Sequence, residues 1–501
     1  MRTLAELLRW RAKRHPDIVA LREPGRSLTY GELDRSATEI ANGLINAGVR
    51  PGDRVAILDK NSAAYLELLW GLAKCGAVAA PVNWRLTAHE AAQVVGDSMA
   101  KLLVCSDELR SVAEPLGVPL ARTEELPRAR GDDPRLDGED DVVWQLYTSG
   151  TTGVPKGAML TSANLYVTLP GLLMEAPELR EGAVSLVAMP MYHIGGCGWA
   201  TAMMFGGTTM VVVRDIVPDE LLRTIVDERV ECAFLVPAVL LFLTMVPGVE
   251  TADFSALQRI FYGASPITPD LLSRCIELFR CRFTQVYGLT ETTGAFTALR
   301  HEDHTGELLL SCGRAGLGVD VRIVDPSGRD LPPGETGELI VRTPQVMKGY
   351  WGREADTADS MLDGWFRTGD AGSIDENGFI FLRDRVKDMI VTGGENVYPV
   401  EIENLLAEHP DIADVAVIGV PDDRWGETVK AIVVRRDGST LTVDELIDYT
   451  RDKLAGYKRP TSVDFVEVIP RNPTGKVLKR QLREPYWAGR ERRVAGSGSG
   501  R

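Results

Sequence analysis

The stretch Tyr147-Thr148-Ser149-Gly150-Thr151-Thr152-Gly153-Val154-Pro155-Lys156-Gly157 carries the residue types of a loop that wraps a polyphosphate. Glycines let backbone N–H groups approach an anion, hydroxyls donate further hydrogen bonds, and Lys156 adds a positive charge. An apolar, strand-like run, Val142 to Leu146, leads into it. The Walker A pattern needs Lys followed by Ser or Thr, whereas Gly157 follows Lys156 here. A plain flexible surface loop is the competing reading, and the specific order of residues weighs against it.

Two further patches suit a nucleotide. Gln285-Val286-Tyr287-Gly288-Leu289-Thr290-Glu291-Thr292 follows the strand-like Phe283. Tyr287 has a face for stacking on adenine, Thr290 a hydroxyl for a phosphate, and Glu291 oxygens for Mg2+. Read alone, the same residues could be a helix start capped by Thr290. In Arg367-Thr368-Gly369-Asp370, a carboxylate after a tight glycine turn could accept both ribose hydroxyl hydrogens. Tyr262-Gly263-Ala264-Ser265-Pro266 reads equally as an ordinary Gly-Pro turn.

These motifs, in this order, resemble those of the adenylate-forming superfamily: acyl-CoA synthetases, adenylation domains of peptide synthetases and beetle luciferases. The resemblance spans residues 1–485. It is nearest to bacterial fatty-acyl-CoA synthetases and 4-coumarate-type CoA ligases. It implies that Thr148, Ser149, Gly150, Thr151, Thr152, Gly153 and Lys156 hold the phosphates of ATP. It also implies that Gly263, Ala264 and Ser265 lie along adenine with Gln285, Val286, Tyr287, Gly288 and Thr290, and that Asp370 and Arg385 hold the ribose or phosphate. By the same resemblance Glu291 binds Mg2+ and Lys387 is a hinge between domains. Gly394 then borders the path of the CoA pantetheine arm. Lys476, at the end of Pro470-Arg471-Asn472-Pro473-Thr474-Gly475-Lys476, matches the family's catalytic lysine, with Thr148 and Glu291 beside it in the chemistry. Pro and Gly in that loop would present Lys476 in a defined direction, able to stabilise charge that grows in the transition state. Some relatives carry a lysine where this chain has Val391.

The acyl pocket, also by resemblance, would be lined by His193, Gly195, Trp199, Val236, Gly288 and Ala295. His193 is read as pocket wall rather than as an acid or base. Residues 191–199 contain no Asp for a substrate ammonium, and residues 231–245 no Arg for a second carboxylate. A neutral aliphatic or aromatic acid is therefore expected.

These patches need a frame. Val55–Leu58, Ala77–Val82 and Leu102–Cys105 read as strands and Ala63–Cys75 as a helix, an alternation that predicts layered α/β structure with parallel strands. Ile18–Leu21 and Ser27–Tyr30 are also strand-like. Leu4, Leu7 and Leu8 recur at helical spacing, so the N-terminal segment predicts a docked helix. Residues 115–140, rich in Pro, Arg, Asp and Glu, read as a linker or surface loop. After about residue 384 the pattern becomes compact α+β, with a helix near Glu401–Ala407 and strands near Val415–Val420 and Ala431–Val434. The expected fold is thus α/β and α+β. It has a large N-terminal adenylation domain over 1–386, a small mobile C-terminal domain over 387–490 carrying Lys476, and a disordered tail over 491–501.

Composition sets outer limits. A chain of 501 residues exceeds one ordinary domain, and 44% hydrophobic with 25% charged residues is globular. A net charge of −15 argues against a nucleic-acid partner. The seven scattered cysteines suggest buried free thiols, not disulfides or zinc, and fit a reducing cytoplasm. His301 and His304 read as a solvated polar loop. No run is long enough to span a bilayer. The expected function is an acyl-CoA synthetase using ATP, Mg2+ and CoA. Its partners would be a small carboxylic acid and these co-substrates, with a homodimer left open. Transfer to a carrier-protein thiol, an amine or another nucleophile is the alternative.

Overall fold

The computed structural model describes residues 2–148, 155–265, 267–385, 388–392, 395–422, 424–451, 453–471 and 477–488. Contacts divide the chain into two compact units. Unit 1 is residues 1–320 with 342–361; unit 2 is residues 321–341 with 362–501.

Unit 1 is built on two sheets. The first has nine strands, and the six from Val19–Glu23 to Arg282–Leu289 run parallel, in the spatial order 19–23, 209–212, 184–187, 232–235, 259–263, 282–289. Strand Gly294–Leu299 folds back antiparallel on Arg282–Leu289. The second sheet has seven strands, in which Val142–Thr148, Val78–Pro81, Arg54–Leu58, Leu102–Cys105 and Leu120–Arg122 are parallel neighbours. These are near-continuous apolar runs, as expected for strands covered on both faces. Ala56, Leu58, Leu103 and Ala80 are fully buried.

Several local readings hold. Helix Leu4–Arg14 is capped by Thr3 and buries Leu4, Leu7 and Leu8. Helix Ala63–Lys74 and strand Arg54–Leu58 lie where the apolar periodicity puts them. All seven cysteines are free and buried. Others change. Tyr30 opens a helix, Tyr30–Asn46, because Thr29 and Glu32 form a reciprocal capping box. The charged segment 115–140 is no bare linker. Leu120–Arg122 joins the sheet edge, and Asp133 is clamped by Arg9 at 2.7 Å and by the fully buried Lys74 at 2.6 Å.

Unit 2 contains an antiparallel ladder of Gly337–Arg342, Trp365–Ile374 and Ile380–Arg385. It also has a sheet in which Ile412–Asp422 and Gly426–Arg435 form a long antiparallel pair, extended by Ser462–Phe465 and Ile390–Thr392. Ile402 and Leu406 of helix Pro399–Ala407 pack on this sheet with Val417, Ala431 and Leu446 in one apolar cluster. The residue 386/387 boundary expected from sequence lies within unit 2, in sequence between strands Ile380–Arg385 and Ile390–Thr392.

Candidate functional site

The arms of the glycine-threonine loop are the antiparallel strands Val142–Thr148 and Lys156–Thr161, paired as far as Thr148↔Lys156. Ser149, Gly150, Thr151, Thr152 and Gly153 lie outside the described residues. A polar network holds the arms. The fully buried Gln145 donates to Tyr147 Oη at 2.8 Å, Tyr147 donates to Asp97 at 2.8 Å, and Arg353 donates to Asp97 at 3.0 Å. Burial, with the Asp97 carboxylate second, pushes the Tyr147 phenol far above its ordinary range, so it stays a neutral donor. Arg54 donates to Gln145 at 3.0 Å and stacks 3.4 Å over the Trp351 ring.

At the end of one arm, the Thr148 hydroxyl approaches Glu291 Oε1 at 3.4 Å, and Tyr350 Oη donates to the same oxygen at 2.9 Å. Glu291 sits in a short 3-10 turn, Thr290–Thr292, that directly follows strand Arg282–Leu289. Thr290 provides no side-chain cap for that turn, so the helix-start reading of this motif fails. Lys156 Nζ pairs with Asp356 at 2.5 Å and lies 5.2 Å over the Tyr350 ring. Tyr350 and Asp356 escaped sequence reasoning because they meet the site through folding, with no local pattern to mark them. The carboxylate and two hydroxyls around Glu291 are an all-oxygen donor set that suits a hard cation such as Mg2+.

The tyrosine-glycine turn lies at the carboxyl end of the parallel strands, where open α/β sheets place ligands. Gly288 is required there, since a Cβ would meet Gly294 O at 1.9 Å. Tyr287 is half-buried with its ring edge-on to Phe296, centroids 5.0 Å apart. Strand Arg259–Gly263 runs beside it, with Gly263 paired to Val286. Ala264 follows in a left-handed conformation, φ +67°, and is exposed; Ser265 is half-buried. Such a strained alanine fits a loop shaped for a ligand.

Tyr262 is buried and donates to His304 Nε2 at 2.9 Å, while His304 Nδ1 donates to Arg300 O at 2.7 Å. His304 therefore anchors its loop instead of lying in solvent, as the sequence suggested, and desolvation lowers its pKa. His301 accepts from the Phe283 backbone at 3.2 Å.

A cavity of about 510 Å3 opens between helices Ser162–Met174 and Ile194–Gly206 and the strands carrying Phe234, Phe261, Val286 and Ala295. Gly195, Trp199, Gly288 and Ala295 line it; His193 and Val236 do not. His193 packs on Tyr192 at 4.5 Å with its Nε2 sealed from solvent, and burial, reinforced by Arg85, pushes the imidazole down to about 4. It is thus a neutral group, not a ready general acid. The cavity also takes Gln345, which sequence reasoning missed. Its amide donates to Thr168 at 2.9 Å and to Ala295 O at 3.2 Å.

In unit 2, Asp370 is buried in the interior of the ten-residue strand Trp365–Ile374, opposite Arg385 in the ladder. The sequence suggested a turn. Gly369, φ +69°, distorts a continuous strand instead, and turns and bulges share that glycine signal. Asp370 N donates to Thr368 Oγ1 at 3.0 Å, fixing the local backbone. Lys387, Gly394 and Lys476 lie outside the described residues. No group of three or more His, Cys, Asp or Glu arranged for a metal occurs among the described residues.

The profile of the AMP-binding enzyme family matches residues 8–351, and that of the AMP-binding enzyme C-terminal domain matches residues 401–476. A fatty acid–[acyl-carrier-protein] ligase of Streptomyces coeruleorubidus is 40% identical over 99% of this chain and 98% of its own length. A feruloyl-CoA synthase of an Amycolatopsis species is 42% identical, covering 95% of this chain and 97% of its own. Among solved structures, ATP-bound MatB from Rhodopseudomonas palustris has a TM-score of 0.89 at 31% identity, covering 96% of this chain and 99% of its own. A Mycobacterium tuberculosis fatty acyl CoA synthetase has a TM-score of 0.80 at 34% identity, covering 98% and 99%.

Proposed function

The chain belongs to the AMP-binding enzyme family, and on that premise we propose that its site activates a neutral aliphatic or aromatic carboxylic acid and passes the acyl group to CoA. It is an AMP-forming acid–thiol ligase, with ATP and CoA as co-substrates. A carboxylate is a poor electrophile because oxide is a poor leaving group. Its oxygen attacks the α-phosphorus of ATP, pyrophosphate leaves, and an acyl-adenylate forms. The thiol then attacks the acyl carbon, loses its proton, and AMP leaves.

The observation that carries this reading is the meeting of Thr148, Glu291 and Tyr350 beside a turn, Gly288, that also lines an apolar cavity. Phosphate-directed groups and an acyl-sized chamber thus share one wall. Glu291 would hold Mg2+, with Thr148 and Tyr350 orienting the carboxylate, and the ion would neutralise charge on the leaving pyrophosphate. Lys156 would exchange Asp356 for a phosphate. Tyr287 with Gly263, Ala264 and Ser265 would take adenine, and Asp370 with Arg385 the ribose. Lys476 would bridge the carboxylate and the α-phosphate. We further propose that residues 387–490 move as a unit about Lys387, placing Gly394 beside the incoming thiol. We propose a cytoplasmic location, and a homodimer is tested by the mass of the purified protein in solution.

One finding favours a second reading, in which the acceptor is a carrier-protein thiol: the Streptomyces relative bears that name. Incubation with ATP, Mg2+, a panel of acids and either CoA or a phosphopantetheinyl carrier protein separates the two. Acyl-CoA by mass supports the first reading, and acylation of the carrier alone replaces it with the second.

A further inference from the structure

The cavity behind Gly288 has two ends, and each is marked by a hydrogen-bonded rung between the same two walls. One wall is helix Ser162–Met174, the other the strand Gly294–Leu299. At the near rung, Gln345 bridges Thr168 and Ala295 O, and Ala295 lies opposite Gly288 in the hairpin. At the far rung, Arg300 donates to both carboxylate oxygens of Glu175, each at 2.8 Å.

All charged residues that line the cavity belong to the far end: Glu175, Arg300, Asp303 and Arg314. The apolar lining residue Met174, next to Glu175, is 65% exposed, so this end reaches the surface. Between the rungs the walls are apolar apart from Thr297, whose hydroxyl donates to Cys312 O at 2.7 Å.

We propose that the Glu175–Arg300 pair is the end-stop of a molecular ruler, and that the enzyme's preferred substrates are medium-chain acids. This rests on the acyl-activating reading above. From Thr168 to Glu175 the helix advances seven residues, about 10 Å at 1.5 Å each. From Ala295 to Arg300 the chain advances five residues, about 17 Å at strand rise. An extended chain gains about 1.2 Å per single bond, as an extended peptide does over three bonds, so these limits correspond to about 8 to 14 bonds. Shorter acids leave apolar surface unfilled, and longer ones meet a bidentate ion pair.

The test is kcat/KM for acyl-CoA formation across straight-chain acids, for the wild type and for Glu175→Ala with Arg300→Ala. The wild type is expected to peak between about 8 and 14 carbons and to fall about tenfold or more by 18 carbons, since a longer chain must displace the hydrogen-bonded Glu175–Arg300 pair. The double variant is expected to keep the wild-type rate on the eight-carbon acid and to shift its fall to longer acids. The swapped pair, Glu175→Arg with Arg300→Glu, should restore the original limit. A wild-type peak at two to four carbons, no fall by 18 carbons, or superimposable profiles for wild type and double variant overturns the ruler. Absence of activity on every straight-chain acid with activity on aromatic acids also overturns the ruler, whereas absence on both classes overturns the proposed function itself.

Discussion

Tyr350 Oη and the Thr148 hydroxyl converge on a single oxygen, Glu291 Oε1, at 2.9 and 3.4 Å. Tyr350 comes from the short strand Gly349–Tyr350, which pairs with the second arm of the phosphate loop, and Thr148 ends the first arm. The carboxylate is thus held by the first arm of the loop it is proposed to serve and by a strand paired to the second. Glu291→Gln should lower the adenylation rate about 100-fold, since the charge opposing a developing pyrophosphate is lost. Tyr350→Phe should cost about tenfold, because the carboxylate remains but loses its orienting donor. Rapid-quench measurement of pyrophosphate formation over a range of Mg2+ checks both, and equal rates in all three proteins would count against the assignment.

Lys156 is held by Asp356 at 2.5 Å and is largely buried. If Lys156 leaves that partner for a phosphate, Asp356 competes with ATP. Lys156→Ala should then raise the KM for ATP about tenfold, the worth of one partly buried charge-assisted contact. Asp356→Asn should leave that KM unchanged or lower it. A rise in both variants would make the pair structural.

Gly288 should tolerate no side chain. In Gly288→Ala the Cβ would meet Gly294 O, a backbone atom fixed by the hairpin, at 1.9 Å. The hairpin must open, with a cost of about 1–3 kcal/mol and a lower Tm. Calorimetry of the variant measures this, and an unchanged Tm would show that the hairpin relaxes freely.

Burial holds His193 neutral, with its pKa down to about 4 from 6.5. A histidine depressed in the folded state binds fewer protons than in the unfolded chain between those values. Stability is therefore full above about pH 6.5 and is lost as pH falls towards 4, by up to about 3 kcal/mol from this group. His301 and His304 shift in the same direction. Tm followed from pH 7 to 4 should decline less steeply in His193→Gln than in the wild type, and parallel declines would remove His193 from the account.

Asp133 fastens the segment before the phosphate loop by pairing with Arg9 and the fully buried Lys74. Asp133→Ala leaves Lys74 with Asp34 and the Thr38 hydroxyl and should destabilise unit 1 by about 3 kcal/mol, as breaking buried pairs does. Urea unfolding measures it, and a loss near zero would return the segment to a loosely attached loop.

The sequence made strands such as Arg54–Leu58 and Leu102–Cys105 of the second sheet legible because they are local apolar runs, but not Leu120–Arg122, whose three residues carry no such run. It also exposed Thr148, Glu291 and Gly288, whose residue types announce phosphate, cation and tight turn. It hid Tyr350, Asp356, Gln345 and the Glu175–Arg300 pair, which gain meaning only from partners 50 or more residues away. It misplaced Asp370 because glycine with positive φ marks bulges and turns alike. It called His304 solvated because its anchor, Tyr262, lies 42 residues upstream.

Exchange of radiolabelled pyrophosphate into ATP, without any thiol present, tests the central claim most directly. The account predicts exchange that requires a neutral carboxylic acid, proceeds in the absence of CoA, and is lost in Lys476→Ala while ATP still binds. Exchange that ignores the acid, or ATP consumption that yields ADP and phosphate in place of AMP and pyrophosphate, would contradict it.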